Sequence, residues 1–163
     1  MSAPAPTPPR ATVAALQDAL ATEHAAVWAY GVVSAFVPPE LTDQVDEAAT
    51  AHRARRDATE RMLSDAGVEP VPAAPAYRTP SPVTDLAGVL LLAVTAEDDT
   101  AAAWRSVIEN SGAIENSGAI ERDAQPGLRT TALDALVGAA VRASRWRAAA
   151  GVPVHTVPFP GAP

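Results

Sequence analysis

The chain of 163 residues contains no cysteine and no lysine, and only 4% of its residues are aromatic. Without cysteine it forms neither disulfides nor thiolate metal sites, and thiol catalysis is excluded. Its twelve basic residues, all arginine, are outnumbered by nineteen acidic ones, so the formal net charge is -7. A net acidic chain is a poor general binder of nucleic acid or anionic membranes. We therefore expect no nucleic-acid partner, no membrane partner and a cytoplasmic location.

Long apolar runs are also missing. No stretch approaches the roughly 18 apolar residues that a membrane-spanning helix needs. Residues 1–10 lack both the apolar run and the basic segment of a signal peptide, and we interpret residues 1–11 as a disordered leader. What the chain does have is alanine and other apolar residues, 48% in all. This composition predicts one domain of helices that pack closely through small side chains.

Apolar residues spaced alternately three and four apart predict four helices. Thr12 is the expected N-cap of the first helix, and Pro38-Pro39 separates the first helix from the second as a short hairpin link. Five prolines between residues 70 and 82 predict an irregular crossover between the second and third helices. The predicted helices cover about 12–37, 40–66, 82–107 and 127–149.

Three polar residues interrupt these apolar seams. Glu23 lies on the first helix, His52 on the second and Glu97 on the third, each where an aliphatic residue is expected. A charged or imidazole side chain in a helical core is costly unless it is paired or binds a ligand. Three of them on three helices predict one shared polar site near the middle of a bundle.

The fourth helix offers no such residue. Its expected core face contains only apolar and small side chains: Leu133, Leu136, Val137, Ala140, Val141 and Ser144. Trp28, Trp104 and Trp146 are interpreted as packing anchors. Apolar residues beside the main seam of the first helix, together with small-residue helix faces, predict a homodimer; those residues are Trp28, Val32 and Phe36.

Residues 108–121 read IENSGAIENSGAIE, a tandem six-residue repeat. Six does not match the helical period of 3.6, so no single face of this segment is continuously apolar. We interpret it as an insertion within the bundle domain of residues 12–150, tolerated because a longer loop costs little entropy. A binding loop is the alternative. Residues 151–163 are expected to form an extended tail.

The chain resembles the ferritin-like domain family of unknown function found in actinobacteria. The segments that resemble it are ALQDALATEHAAVWAYG at 15–31, AHRARRDA at 51–58, TAEDDTAAAW at 95–104, TALDALVGAAVRASRWR at 131–147 and TVPFPG at 156–161. The resemblance implies an all-α fold, a ferritin-like four-helix bundle of two antiparallel hairpins with a Pro-rich crossover between helices 2 and 3. It implies no reaction.

Comparison with the wider ferritin-like superfamily sharpens the prediction for the polar site. Its di-iron proteins place a Glu on the first and third helices and Glu-x-x-His on the second and fourth. Glu23, His52 and Glu97 can correspond to three of these six ligands. The position three before His52 is Ala49, and residues 127–150 contain neither Glu nor His. A di-iron centre is therefore not expected.

Two interpretations of the polar site stay open. In the first, Glu23 and Glu97 pair with core-facing arginines in a buried ionic network, with Arg55, Arg142 and Arg145 as candidates. The protein is then a non-catalytic bundle without a cofactor that acts through self-association or an unidentified protein partner. In the second, Glu23, His52 and Glu97 hold a single divalent iron, manganese or zinc ion, with oxidase-type chemistry.

Overall fold

The structure, a computed structural model, describes residues 9–111 and 127–163. In that part of the chain all regular secondary structure is helical, so the prediction of four helices is confirmed. The four are α1 (Arg10–Val33), α2 (Thr42–Asp65), α3 (Leu86–Asn110) and α4 (Leu128–Ala149), and a short 3-10 turn (Pro39–Leu41) precedes α2.

Several predicted helix limits are wrong. The first helix begins at Arg10, so residues 10 and 11 belong to it rather than to the leader, and it ends at Val33 instead of continuing to residue 37. After Val33 the chain tightens into turns in which the Ala35 and Phe36 N–H groups donate to the Val32 and Val33 carbonyls, and Pro38 disfavours helical backbone at Val37. Thr12 is not an N-cap: it is buried and its hydroxyl donates to the Asn110 carbonyl, 2.8 Å away at the end of α3. The α3 cap is Asp85, whose carboxylate accepts from the Gly88 N–H at 2.9 Å.

Two apolar clusters give the helix directions. One joins the second half of α1 to the first halves of α2 and α3. The other joins the first half of α1 to the end of α3 and the start of α4. α1 therefore runs antiparallel to both α2 and α3, and α3 runs antiparallel to α4. α1 packs on α2 and α3, and α3 packs on α4, whereas α2 and α4 make little backbone contact.

The connection between α2 and α3 lies along the side of α1. Gln17 donates to the Glu69 carbonyl at 2.7 Å and accepts from the Val71 N–H at 2.8 Å. Further along, the Tyr77 ring lies 5.5 Å from the ring of Trp28. Trp28, predicted as a spare apolar residue, is thus partly covered by its own chain.

The buried face of α4 differs from the predicted one. Leu133, Val137 and Val141 are about half exposed, at 50%, 51% and 46%. The side of α4 that faces the core consists instead of small residues with one arginine and one tryptophan: Ala132, Ala135, Ala139, Arg142, Ala143 and Trp146. The physical reason is close approach, because an alanine face allows α4 to pack near α3 while Trp146 fills the remaining space.

The C-terminal tail packs on α3. Gly161 has φ +74, and a Cβ there would lie 2.5 Å from the Ala101 carbonyl oxygen, so only glycine allows this approach. The tail borders a groove of about 580 Å³ between α3 and α4. Its lining includes Val141 of α4 and Val157 of the tail. The repeat segment was predicted as an insertion over residues 108–121, but residues 108–110 are the last residues of α3. Residues 112–121 lie outside the described residues.

No helix in the described ranges is long and apolar enough to cross a membrane.

Candidate functional site

Glu23, His52 and Glu97 meet between the two apolar clusters, and each has no solvent exposure. Nδ1 of His52 lies 2.7 Å from Oε2 of Glu23, and Nε2 lies 3.2 Å from Oε1 of Glu97. The imidazole on α2 therefore bridges a carboxylate on α1 and a carboxylate on α3. Both ring nitrogens donate only when the imidazole is protonated, so this geometry favours the imidazolium form.

Two arginines extend the chain of charges at its ends. Arg55 donates from Nη1 to Oε1 of Glu23 at 3.3 Å, and Arg142 donates from Nε to Oε1 of Glu97 at 2.8 Å. The order along the network is Arg55, Glu23, His52, Glu97 and Arg142, so opposite charges alternate and all four helices contribute. The Arg142 side chain is 92% buried, which it tolerates because a carboxylate neutralises it.

Arg145 does not join the network. Its guanidinium lies at the surface, where Nη1 donates to Oε2 of Glu47 at 3.2 Å. Arg145 follows Arg142 by three residues and so points about 60° away around α4. That rotation takes it out of the core and towards α2, which is why the prediction that it pairs with the buried carboxylates is wrong.

Three aromatic side chains complete the site as hydrogen-bond donors. The sequence predicted two of them, Trp104 and Trp146, only as packing anchors, and it predicted no role for Tyr30. Trp104 donates to Oε1 of Glu23 at 2.7 Å, and Tyr30 donates to Oε1 of Glu97 at 2.5 Å. Trp146 in turn donates to the Tyr30 hydroxyl at 2.7 Å. Their spacing in the sequence could have indicated this role. Tyr30 follows Glu23 by seven residues and Trp104 follows Glu97 by seven, so each aromatic residue lies two turns from a core glutamate on the same helix face.

The environment fixes the protonation of these groups. Burial alone would lower the pKa of His52, but its hydrogen bonds to Glu23 and Glu97 outweigh that effect and raise it. Burial would raise the pKa of Glu97, yet His52 and Arg142 hold it below its usual range. Burial, followed by the charge of Glu97, raises the pKa of Tyr30 far above its usual range, so the phenol stays neutral. The environment therefore favours a protonated His52 beside an ionised Glu97.

The donor set does not fit a di-iron centre. Both oxygens of Glu23 accept hydrogen bonds from side chains, and Oε1 of Glu97 accepts three. The fourth helix brings a cation, Arg142, to Oε1 of Glu97 and contributes no carboxylate or imidazole to the network. Within residues 9–111 and 127–163, no group of three or more His, Asp or Glu side chains has a geometry suited to a metal ion. Oε2 of Glu97 is buried and accepts no hydrogen bond from the described residues.

His24, next to Glu23 in sequence, points to a different part of the molecule. Its Nε2 lies 3.2 Å from the Val71 carbonyl oxygen and 3.6 Å from a Glu60 carboxylate oxygen. It helps to hold the α2–α3 connection against α1 and has no contact with the central network.

Comparison with known proteins places the chain in a family. The profile of the Domain of unknown function (DUF4439) matches residues 15–163. The chain belongs to this family. A solved structure similar to it is that of a conserved hypothetical protein, rv2844, from Mycobacterium tuberculosis, at 40% sequence identity and a TM-score of 0.73. The match covers 85% of this chain and 96% of the other. No curated protein matches significantly.

Proposed function

We propose that this DUF4439 protein is a non-catalytic, ferritin-like helical bundle that acts through association with a second copy of itself. The observation that carries the proposal is the outer face of α4, where Leu133, Val137 and Val141 form an exposed apolar stripe. These residues are four apart and lie about 140–180° around the helix from most of the buried alanines. Half-exposed aliphatic side chains in a row on one helix are typical of an association surface.

The ferritin-like part of the proposal is supported by helix direction and by residue placement. α2 and α3 run parallel to each other, with residues 66–85 between them, as in bundles that have a long crossover. The first three helices supply Glu23, His52 and Glu97 at the core. Arginine and aromatic side chains donate to Oε1 of both carboxylates, and His52 contacts Oε2 of Glu23, so the site is suited to holding helices together rather than to chemistry.

Charges beside the α4 stripe favour a second copy as the occupant. In an antiparallel pairing about a two-fold axis, Val137 of one copy faces Val141 of the other. Along the helix axis, Asp134 then lies within about one residue rise, ~1.5 Å, of Arg145 of the second copy. By symmetry this ion pair forms twice, and in each copy Arg145 exchanges its exposed partner Glu47 for Asp134 of the other copy. The other flank carries Arg129 and Arg147, and Asp98 of the same chain already neutralises Arg147.

The expected dimer is weak, because three aliphatic side chains per copy bury less surface than a standard interface. Sedimentation of the full chain over a range of concentrations should move from the mass of one chain towards the mass of two. V137D should abolish this shift while the circular dichroism and the melting temperature stay at wild-type values. L91D is the matched control, since Leu91 is also 50% exposed but lies on α3, and it should leave association intact.

Charge exchange provides an independent check. D134R and R145D should each weaken association, and the double variant should restore it because the reciprocal ion pairs form again with opposite sign. A wild-type chain that stays monomeric at all concentrations reached would refute the proposal. So would a V137D variant that associates as well as L91D does.

The alternative function is binding of a single divalent metal by Glu23, His52 and Glu97. Its support is their convergence and the unengaged Oε2 of Glu97. It would require the hydrogen bonds from Arg55, Trp104 or Arg142 to be given up on metal binding. Metal analysis of protein purified without chelators separates the two proposals: a stoichiometric ion that H52Q loses would favour the metal site.

A further inference from the structure

Between α2 and α4, three guanidinium nitrogens lie within 4 Å of the position that a Cβ would take at Gly138. A Cβ added at Gly138 would lie 3.2 Å from Nη1 of Arg142, 3.6 Å from Nη2 of Arg55 and 3.9 Å from Nη2 of Arg142. Because residue 138 is glycine, no side chain fills this point. α2 and α4 make little backbone contact, so these guanidinium groups are the side chains that approach each other between the two helices at this position.

Each guanidinium uses only one of its edges on the central network. Arg55 donates to Glu23 through Nη1, and Arg142 donates to Glu97 through Nε. Nη2 of Arg142 is buried and has no acceptor among the described residues, although Arg142 as a whole is only 6% exposed. A buried guanidinium N–H without an acceptor is costly. The edges of both groups that point towards Gly138 therefore lack acceptors that a ligand would supply.

Charge leads to the same conclusion about the ligand. Two guanidinium groups that approach one point repel each other unless a negative group lies between them. The planar fork of arginine matches the oxygens of carboxylate and phosphate groups, and such charge-assisted hydrogen bonds are strong. The site is small, because it is formed by the absence of one side chain on α4.

We propose that the notch at Gly138, between Arg55 and Arg142, is a binding site for an oxyanion, either a carboxylate or a phosphate group. One oxygen accepts from Nη1 and Nη2 of Arg142 and so gives the buried Nη2 its missing acceptor, and another accepts from Nη2 of Arg55. The ligand thereby joins α2 to α4 across the least packed side of the bundle. The test of this site is separate from that of the proposed self-association, because G138A and R55Q change neither the α4 stripe nor Asp134 and Arg145.

The test measures melting temperature and calorimetric binding of the full chain with inorganic phosphate, acetate or chloride at constant ionic strength. Phosphate or acetate should raise the melting temperature and chloride should not, and the stronger of the two oxyanions identifies the ligand group. G138A places a methyl group at the binding point and should weaken oxyanion binding at least tenfold. Alanine favours helix over glycine, so this variant should not lose stability through its backbone.

G31A is the matched control, because Gly31 lies in α1 with nothing within 4 Å of an added Cβ. It should bind the oxyanion as wild type does. R55Q gives a second test if G138A folds poorly, and R53Q, at an exposed position of the same helix, is its control. Equal oxyanion responses in G138A and G31A, equal affinities in R55Q and R53Q, or no response of the wild type to either oxyanion would overturn the proposal.

Discussion

Glu23 is the residue whose environment is most completely specified. Oε1 accepts from Trp104 and Arg55, and Oε2 faces the His52 ring, so donors from α2 and α3 converge on one carboxylate of α1. Its removal would leave the imidazole and the indole N–H without acceptors inside the core. Removing one member of a buried ionic pair is strongly destabilising, because it leaves the other charge buried and unpaired. Replacing the whole pair with apolar residues costs much less free energy.

We predict that E23A lowers the free energy of unfolding by about 3–5 kcal/mol. E23Q should lower it less, because the amide oxygen still accepts a hydrogen bond although the charge is lost. Urea unfolding monitored by tryptophan fluorescence measures both, since Trp104 contacts the mutated position. D18A is the control at an exposed position on the same helix and should change little. Wild-type stability of E23A would contradict a structural role for the carboxylate.

At the scale of the element, α4 has two apolar faces of different size. Its alanine face packs on α3 and its Leu/Val stripe is exposed. Periodicity identifies both faces but does not show which one is buried. The larger side chains bury more apolar area, but they also prevent close approach of the helices. The fit of Trp104 and Trp146 around the polar network decides which face is buried.

The repeat between α3 and α4 gives a second prediction for an element. Deletion of residues 109–120 joins Ile108 to Glu121, so a glutamate again follows Ile108. In the shortened chain Glu121 and Arg122 take the places of Glu109 and Asn110 at the end of α3, so the backbone carbonyl that Thr12 donates to is kept. The chain should fold and should be at least as stable as the wild type, because a shorter loop costs less closure entropy. Thermal unfolding and sedimentation measure stability and association. An unfolded or no longer associating deletion variant would mean that the repeat is integral to the protein.

At the scale of the whole molecule, the network links all four helices through charged groups, and the pKa values of His52 and Glu97 make its contribution to stability depend on pH. The folded pKa of His52 lies above its ordinary value of 6.5 because the hydrogen bonds to Glu23 and Glu97 outweigh burial. This contribution to stability is complete below pH 6.5 and is lost as the pH rises through the raised pKa. The pKa of Glu97 lies below its ordinary value of 4.5, so its contribution is present above pH 4.5 and is lost as the pH falls through the lowered pKa.

We therefore predict that the free energy of unfolding is greatest between pH 4.5 and 6.5 and declines on the alkaline side. Urea unfolding at a series of pH values measures it. The charged and titratable groups around the imidazole are Glu23, Tyr30, Arg55, Glu97 and Arg142. H52Q should remove the alkaline decline, whereas H155Q, in the exposed tail, should keep it. A stability that rises steadily from about pH 5 to about pH 8 would contradict the assignment of the charge to His52.

The sequence by itself determined the four helices and three members of the central network. Glu23, His52 and Glu97 could be identified because a polar residue on an apolar seam needs a partner, whatever the fold around it. The same reasoning named Arg55 and Arg142 as partners but could not separate them from Arg145. The sequence gives the rotation of each helix only approximately, and within that range all three arginines lie near a core face.

Only the tertiary structure decided which side of α4 is buried, which arginines reach the carboxylates, and that Tyr30, Trp104 and Trp146 supply their remaining donors. It also revealed the notch at Gly138, since two arginines on different helices meet there. These features depend on the rotation and separation of whole helices. Packing of all four against one another sets those quantities, and no local pattern along the chain encodes them.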